Sequence, residues 1–279
     1  MDIVRDELGP WSIDKLEIVQ KYATAYGKII NGFRLHPIYI DGFAGCGHNV
    51  ERATGEPVEG SPLRVLDIEP GFEEYHFIDV DGDKLDELKS AAQSHSNVFF
   101  YNEDANEALL RIIPTVKYAD FKRALCVLDP YGLDVDWKVL VAAAKQKTIE
   151  IFFNFSIMHI NRNILRHNRD TVSQKQYDRM MRAWGDGSWE QELFSGDDSL
   201  FGDLEKVDNW TVAKAFQKRL HDVAGFACVP EPVAMKNSKN AGLYYWFFAS
   251  QNSTGAKIAK DIFRTYTGLG VRYGSRIKH

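Results

Sequence analysis

The chain contains few cysteines and no long apolar run, and both absences restrict the classes of protein to which it can belong. Its 279 residues include three cysteines, Cys46, Cys126 and Cys228, which are far apart and form no CxxC pair. This spacing argues against a disulfide scaffold and against a metal site, and it suits a reducing, cytoplasmic setting. No run is long enough to cross a bilayer and the first residues lack a signal-peptide pattern, so we expect no membrane association.

The order of apolar segments predicts an α/β protein. Hydrophobic residues make up 44% of the sequence, which is enough for a substantial core. Short β-rich runs alternate with amphipathic segments, a rhythm typical of a parallel sheet covered by helices on both faces. We predict strands at 37–41, 74–80, 97–101, 124–129, 148–156, 226–234 and 242–250. We predict helices at 13–30, 61–68, 82–94, 103–113, 134–146, 171–184, 209–223 and 254–266, with Ser12 and Asp134 as N-caps of the first and fifth.

These elements predict a Rossmann-like, mostly parallel seven-stranded sheet whose last two strands form a hairpin. An N-terminal helical segment (1–36) precedes a core formed by residues 37–158 and 209–270. Residues 159–208 break the pattern and are interpreted as an inserted lid or substrate-recognition subdomain. Within them a basic block (162–182) precedes an acidic one (186–208). Such blocks indicate either two solvated faces or an anion-binding surface beside the site.

A glycine-rich loop follows the first predicted strand of the core, in the segment IYIDGFAGCGHN. The strand ends at Asp41, and Gly42, Gly45 and Gly47 let the backbone pass close to a ligand. The spacing is GxxGxG rather than the GxGxxG of a dinucleotide fold, and no Lys-Ser/Thr pair follows as in a P-loop. The loop alone is weak evidence, so the residues after the next strands decide its interpretation.

Acidic residues follow the next three strands as well. Asp79 and Asp81, Asp104, and Asp129 come at the ends of three successive predicted strands. Carboxylates there can accept hydrogen bonds from ribose hydroxyls and an adenine amine, or they can simply cap the following helices. We interpret the series as a site for S-adenosylmethionine. The expected cofactor-binding residues are Asp41, Gly42, Phe43, Ala44, Gly45, Gly47, Asp79, Asp81, Asp104, Ala105 and Asp129.

The segment Asp129-Pro130-Tyr131-Gly132 supplies the candidate catalytic residues. It resembles the (D/N)PP(Y/F) segment of methyltransferases that act on amino groups of nucleobases, in which the carboxylate and a backbone carbonyl hold the amine and the ring stacks on the base. The single proline places Tyr131 one position early, which leaves its stacking role open. The alternative is a strand-ending turn with Asp129 near the amino group of the cofactor.

Several longer segments resemble one family, the three-Cys-motif partner proteins (TcmP), which are class I methyltransferase-like. The resemblance spans about residues 11–263 and rests on KLEIVQKYATAY, IYIDGFAGCG, GEPVEGSPL, FIDVD, LDPYG and YYWFFASQNSTGAKIAKDIF. It implies a Rossmann-like class I methyltransferase fold and a cofactor site at Asp41, Gly42, Phe43, Gly45, Asp79, Asp104 and Asp129. It also implies a partner protein with a three-cysteine, iron–sulfur-like motif.

Four further residues are candidates for ligand contacts. Lys15, on the first helix, could reach the carboxylate of the cofactor, although a surface lysine is the commoner case. Asn154 ends the fifth strand, and Arg162 and Arg166 follow it; we assign these three to substrate binding, with satisfaction of loop backbone as the alternative.

The sequence therefore predicts a cytoplasmic, S-adenosylmethionine-dependent methyltransferase acting on a nitrogen of a nucleic acid or nucleotide-like substrate. Two alternatives stay open: a small metabolite or peptide as acceptor, and a non-catalytic subunit of an iron–sulfur protein.

Overall fold

A seven-stranded sheet organises the protein. The structure, a computed structural model, describes residues 6–165, 172–195, 205–236 and 242–267. The sheet has the order β11-β12-β8-β7-β2-β5-β6. Its strands are β2 (His36–Asp41), β5 (Glu74–Asp79), β6 (Val98–Asn102), β7 (Lys122–Leu128), β8 (Ile149–Phe155), β11 (Val233–Lys236) and β12 (Gly242–Ala249).

The strand directions confirm the predicted fold class. β2 runs parallel to β5 and β7, and β6 and β8 extend the parallel part on either side. β12 is antiparallel to β8, and β11 pairs antiparallel with β12, so the last two strands form the predicted hairpin. The chain leaves β2 toward β5 on one side and returns to β7 on the other. This reversal is the topological switch point at which such sheets bind ligands.

Helices cover both faces of the sheet. One face packs on α1 (Pro10–Gly32), α2 (Ser61–Leu66), α3 (Gly82–Ala91) and α10 (Ser253–Tyr266). The other packs on α4 (Ala105–Ile112), α5 (Trp137–Gln146), α6 (Ile157–Asn163), α7 (Gln174–Trp184), α8 (Trp189–Glu192) and α9 (Asn209–Asp222). Within the described ranges, none of these helices is sufficiently long and apolar to cross a membrane.

Two small sheets were not predicted. β1 (Glu7–Leu8), β3 (His48–Glu51) and β4 (Pro57–Glu59) form a three-stranded sheet, in which β3 and β4 come between the glycine loop and α2 and β1 comes before α1. β9 (Phe194–Ser195) and β10 (Glu205–Lys206) form a short antiparallel pair. The first of these sheets brings the segment that begins at residue 6 close to the carboxyl end of β2.

Two predicted helix caps and one strand boundary were wrong. α1 begins at Pro10 after Gly9, so Ser12 lies inside the helix. α5 begins at Trp137 after Asp136, whose side chain makes no cap, and Asp134 instead pairs with Arg179. The predicted strand 226–234 is reduced to an isolated bridge at Cys228 followed by β11, because the prolines at 230 and 232 cannot donate to a ladder.

The described part of residues 159–208 is packed on the main core. Met180, Trp184 and Trp189 are fully buried in the cluster on the α5 and α9 face. Arg219 of α9 lies over the ring of Trp184 and donates to its carbonyl at 2.7 Å. The segment is therefore anchored to the sheet by aromatic packing, whereas its role as a separate subdomain stays a prediction.

Candidate functional site

The glycine loop bridges the two strands that flank β2. Its Gly42 amide donates to the Val127 carbonyl of β7 (2.9 Å), and its Ala44 amide donates to the Ile78 carbonyl of β5 (2.9 Å). A Cβ at Gly42 would lie 2.9 Å from a methyl carbon of Leu128, so a larger residue there would require the buried Leu128 side chain to shift. The loop is therefore fastened across the switch point.

Asp41, the last residue of β2, stabilises this loop through hydrogen bonds. It is fully buried, and its carboxylate accepts from the Phe43 amide (3.1 Å) and from the Ser61 hydroxyl at the start of α2 (2.6 Å). Burial raises the pKa of Asp41 to about 6, because the charged form loses its hydration, although the Ser61 and Phe43 hydrogen bonds oppose the shift. These contacts are those of a residue that organises the loop.

Gly45 and Gly47 have left-handed backbones, with φ of 62° and 78°. At Gly45 an added Cβ would meet nothing within 4 Å, so this turn of the loop borders open space. The Gly45 amide donates to Asp79 at 2.8 Å, and the other Asp79 oxygen accepts from the Asp81 amide at 2.9 Å. Asp79 is thus oriented at the edge of that space with acceptor capacity left on both oxygens.

Two further acidic residues of this edge, Asp81 and Asp104, cap helices. Asp81 accepts from the Asp83 and Lys84 amides at the start of α3. Asp104 accepts from the Asn106 and Glu107 amides at the start of α4, both through Oδ1, and Ala105 is the buried first residue of that helix. Capping was one of the two interpretations, and it accounts for these contacts. Contact of either residue with a cofactor stays a prediction.

A buried lysine pairs with the acidic residue that follows β7. Lys15 Nζ lies 2.5 and 2.7 Å from the two carboxylate oxygens of Asp129, and the lysine side chain is only 9% exposed. The ammonium also lies 4.6 Å from the ring centroid of Tyr244 and 5.5 Å from that of Trp246, on β12. The commoner interpretation of Lys15 as a surface residue was therefore wrong.

Asn154 completes this group and retains an unused acceptor. Its Nδ2 donates to Asp129 Oδ1 (2.7 Å) and to the Pro130 carbonyl (3.3 Å). Because Nδ2 faces these two acceptors, Oδ1 is the remaining atom, and it is buried without a hydrogen-bond partner among the described residues. An unmet buried acceptor is costly, so it indicates that a donor from a ligand or water belongs there.

Tyr131 is exposed and tied to the N-terminal segment. Its hydroxyl donates to Asp6 at 2.6 Å, and Lys84 of α3 donates to the same carboxylate oxygen at 3.0 Å. Tyr131 follows β7 and Lys84 follows β5, so Asp6 links two segments that flank the end of β2. The side chains of Asp6, Lys84 and Tyr131 form what we call the Asp6 strap.

The loop after β7 is also held from the opposite side. Arg179 of α7 forms a short ion pair with Asp134, and Arg182 lies 3.5 Å from Asp136. His159 approaches the same loop at Gly132, where an added Cβ would lie 3.0 Å from both His159 and Arg179. Burial, and then the neighbouring Arg179 charge, lower the pKa of His159. Two arginines of the basic block are thus used in ion pairs within the protein.

Of the predicted substrate residues, only Asn154 lies in the group around Asp129. Arg162 is exposed on α6, and Arg166 lies outside the described residues. Ser61 and Trp246 were missed as site residues. Lys15 was a candidate from the sequence, and its helical spacing with the buried Ile18, Val19 and Tyr22 favours the buried position over the surface one.

Comparisons with known proteins give structural similarity only. No family model matches the chain, and no curated protein matches it. Among solved structures, it is similar to a DUF519 protein of Legionella pneumophila (9% identity, TM-score 0.48, 90% of this chain and 92% of that chain covered). It is also similar to a candidate S-adenosylmethionine-dependent methyltransferase of Listeria monocytogenes (11%, 0.43, 86% and 100%). A third is the N-methyltransferase NodS of Bradyrhizobium japonicum (9%, 0.39, 87% and 98%). At these values the similarities carry no argument about activity.

Proposed function

We propose that the protein is an S-adenosylmethionine-dependent methyltransferase whose acceptor is a nitrogen of a nucleic acid or nucleotide-like substrate. The observation that carries the proposal is the group of Lys15, Asp129 and Asn154 beside a glycine loop at the switch point of the sheet. This edge offers several acceptors and one buried cation, which suits a ligand with amino, hydroxyl and carboxylate groups.

The residues present fit the cofactor. Asp79 has acceptor capacity for two ribose hydroxyls, and the neighbouring Val80 exposes 78% of its surface, which suits the apolar face of an adenine. Asp104 Oδ2 has no hydrogen bond with the described residues and could receive the adenine amine. Lys15 matches the carboxylate of the amino-acid part of the cofactor, since an ammonium has three donors and two of them pair with Asp129.

Catalysis would then depend on holding the acceptor nitrogen. Bound S-adenosylmethionine supplies an electrophilic methyl group. Asn154 Oδ1, the Pro130 carbonyl and the Asp129 carboxylate would orient the N–H groups of the acceptor and stabilise the positive charge that develops on its nitrogen. Lys15 and the Asn154 amide fix Asp129 for this task, and Tyr131 would border the entrance.

The first test is calorimetric titration of S-adenosylmethionine into the wild type, Asp79→Ala and Asp83→Ala. We expect saturable binding that Asp79→Ala abolishes and that Asp83→Ala, an exposed residue in the first turn of α3, retains. Transfer of a labelled methyl group into RNA, DNA and extract metabolites then identifies the acceptor, with Asp129→Ala inactive. If the folded wild type does not bind the cofactor, the methyltransferase proposal is wrong.

A small metabolite or peptide is the second candidate acceptor. The pairing of Arg179 with Asp134 and of Arg182 with Asp136 favours it, because these two cations of the basic block are already neutralised. Nuclease treatment of the extract separates the candidates. Methyl incorporation that survives the treatment would indicate a small acceptor, and incorporation that disappears would indicate nucleic acid.

The partner implied by the three-Cys-motif resemblance also belongs to this proposal. It rests on the sequence segments quoted above, since no family model matches the chain. Co-purification of an iron–sulfur protein would support a partner role. A cofactor-binding protein that transfers no methyl group and tolerates Asp129→Ala would favour a non-catalytic subunit.

A further inference from the structure

The edge of the sheet opposite the candidate site carries unusual backbone conformations. Arg34, Phe121 and Lys147 are the non-glycine residues with positive φ in the described chain, at 56°, 57° and 62°. Each closes a helical segment and lies one or two residues before β2, β7 or β8. Glycine or asparagine is usual at such positions, because a Cβ is strained there. Two cations and a phenylalanine therefore occupy this edge at a cost in folding stability.

Large aromatic side chains are exposed at the same edge. Phe33, Tyr118 and Phe121 expose 74%, 72% and 61% of their surface. The chain segments that carry them are adjacent, since the His36 amide donates to the Phe121 carbonyl at 3.0 Å. Isolated exposed aromatics are ordinary, but three on one edge form a patch that indicates an interaction surface.

Cations alternate with these rings along the chain. Arg34 follows Phe33, Lys117 precedes Tyr118, and the Arg123 guanidinium lies 4.2 Å from the Tyr118 ring centroid. None of the three cations forms an ion pair with a described residue, whereas the nearby His36 is bound to Glu73 and Lys122 to Glu74. Asp120 is the acidic residue within this turn. The six residues Phe33, Arg34, Lys117, Tyr118, Phe121 and Arg123 are called the basic aromatic edge.

We propose that the basic aromatic edge binds single-stranded nucleic acid. Exposed rings interleaved with cations suit bases that stack and phosphates that pair. A duplex would hide its base faces from these rings. The edge is basic although the chain has a net charge of -5. The positive charge is therefore local to this edge, and it is complementary to the phosphates of a single nucleic-acid strand.

This site is separate from the candidate methyl-transfer site. The two edges lie at opposite ends of β7, a seven-residue strand, and are therefore about 20 Å apart. The inference does not depend on the proposed function, because binding at this edge requires neither the cofactor nor Asp129.

The test is fluorescence anisotropy of labelled oligothymidylate and oligouridylate, each about 20 nucleotides long. The full chain is titrated into these probes and into an abasic strand of equal length. We expect saturable binding that weakens steeply between about 50 and 200 mM salt. The abasic strand should bind at least about fivefold more weakly, because it cannot stack.

The informative variant is Phe121→Gly, which removes the ring and relieves the left-handed strain. It should weaken binding about fivefold or more without lowering the melting temperature, so misfolding cannot explain the loss. Phe99→Ala is the control, because Phe99 is 47% exposed on the lateral edge strand β6. Absence of binding at low salt, equal affinity for the abasic strand, or unchanged binding by Phe121→Gly would each overturn the proposal.

Discussion

Lys15 and Asp129 are 114 residues apart in the sequence, and their side chains form an ion pair of 2.5 Å. The Lys15 side chain extends from α1 and is buried against the aromatic rings of β12, whereas the Asp129 side chain is one-third exposed at the edge of the sheet. The pair therefore joins the first helix to the candidate catalytic segment. Its removal should affect both folding and binding.

Lys15→Met leaves the Asp129 carboxylate without its cation. We expect the free energy of unfolding to fall by about 1–3 kcal/mol, less than for a fully buried pair because Asp129 is partly hydrated. Affinity for S-adenosylmethionine should fall at least about tenfold. Urea unfolding and calorimetric titration measure the two effects. Lys28→Met, at an exposed position of the same helix, should change neither appreciably, and equal effects of the two substitutions would contradict the role of Lys15.

The buried Asp41 predicts a pH-dependent stability. Its pKa is raised from 3.8 to about 6, so the folded state favours the protonated form. The contribution of Asp41 to the free energy of unfolding is fully present below about pH 4 and is lost as the pH rises through about 6. The loss is about 3 kcal/mol, which corresponds to the difference of about two between the folded and unfolded pKa values. Urea unfolding of the wild type and of Asp41→Asn across this range measures it. The difference in stability between them should change with pH, and a constant difference would show that Asp41 does not titrate in this way.

The Asp6 strap predicts slow release of the cofactor. Tyr131→Phe removes the hydroxyl that donates to Asp6, so the segments that flank β2 should separate more easily. We expect dissociation of S-adenosylmethionine to accelerate about threefold, with stability nearly unchanged because the bond is exposed. Stopped-flow displacement measures the rate. Tyr118→Phe, at the opposite edge, is the control, and equal rates for all three proteins would exclude a strap function.

The proximity of Arg179 to His159 predicts that the pKa of His159 depends on the Arg179 charge. Removing its charge in Arg179→Met should raise the pKa of His159, since the arginine is the second cause of the lowered value after burial. NMR titration of the histidine ring protons follows this change directly. Arg182→Met is the matched control, because Arg182 pairs with Asp136 on the same loop. A His159 pKa that is the same in the wild type and Arg179→Met would show that the two side chains are not close in solution.

Local patterns predicted most of the elements that make up the sheet and its covering helices. The alternation of apolar strands with amphipathic segments was sufficient for the five parallel strands and the main helices, with boundaries displaced by a few residues. It also predicted the terminal hairpin, although β11 begins at Val233 instead of residue 226. It was not sufficient for the helix caps. Asp81 and Asp104 cap their helices, but Ser12 and Asp134 do not, because a cap depends on the backbone direction before the helix.

The sequence by itself determined the class of fold, the glycine loop and the acidic residues at the strand ends, since each depends on residues close together in the chain. Only the tertiary structure decided what those residues contact. It directs the Asp41 carboxylate toward the glycine loop and Ser61, places Lys15 against Asp129, and brings the segments of Phe33 and Phe121 to one edge. These relationships join segments separated by 20 to 114 residues. They depend on strand order and on the burial of charge, which no local pattern contains.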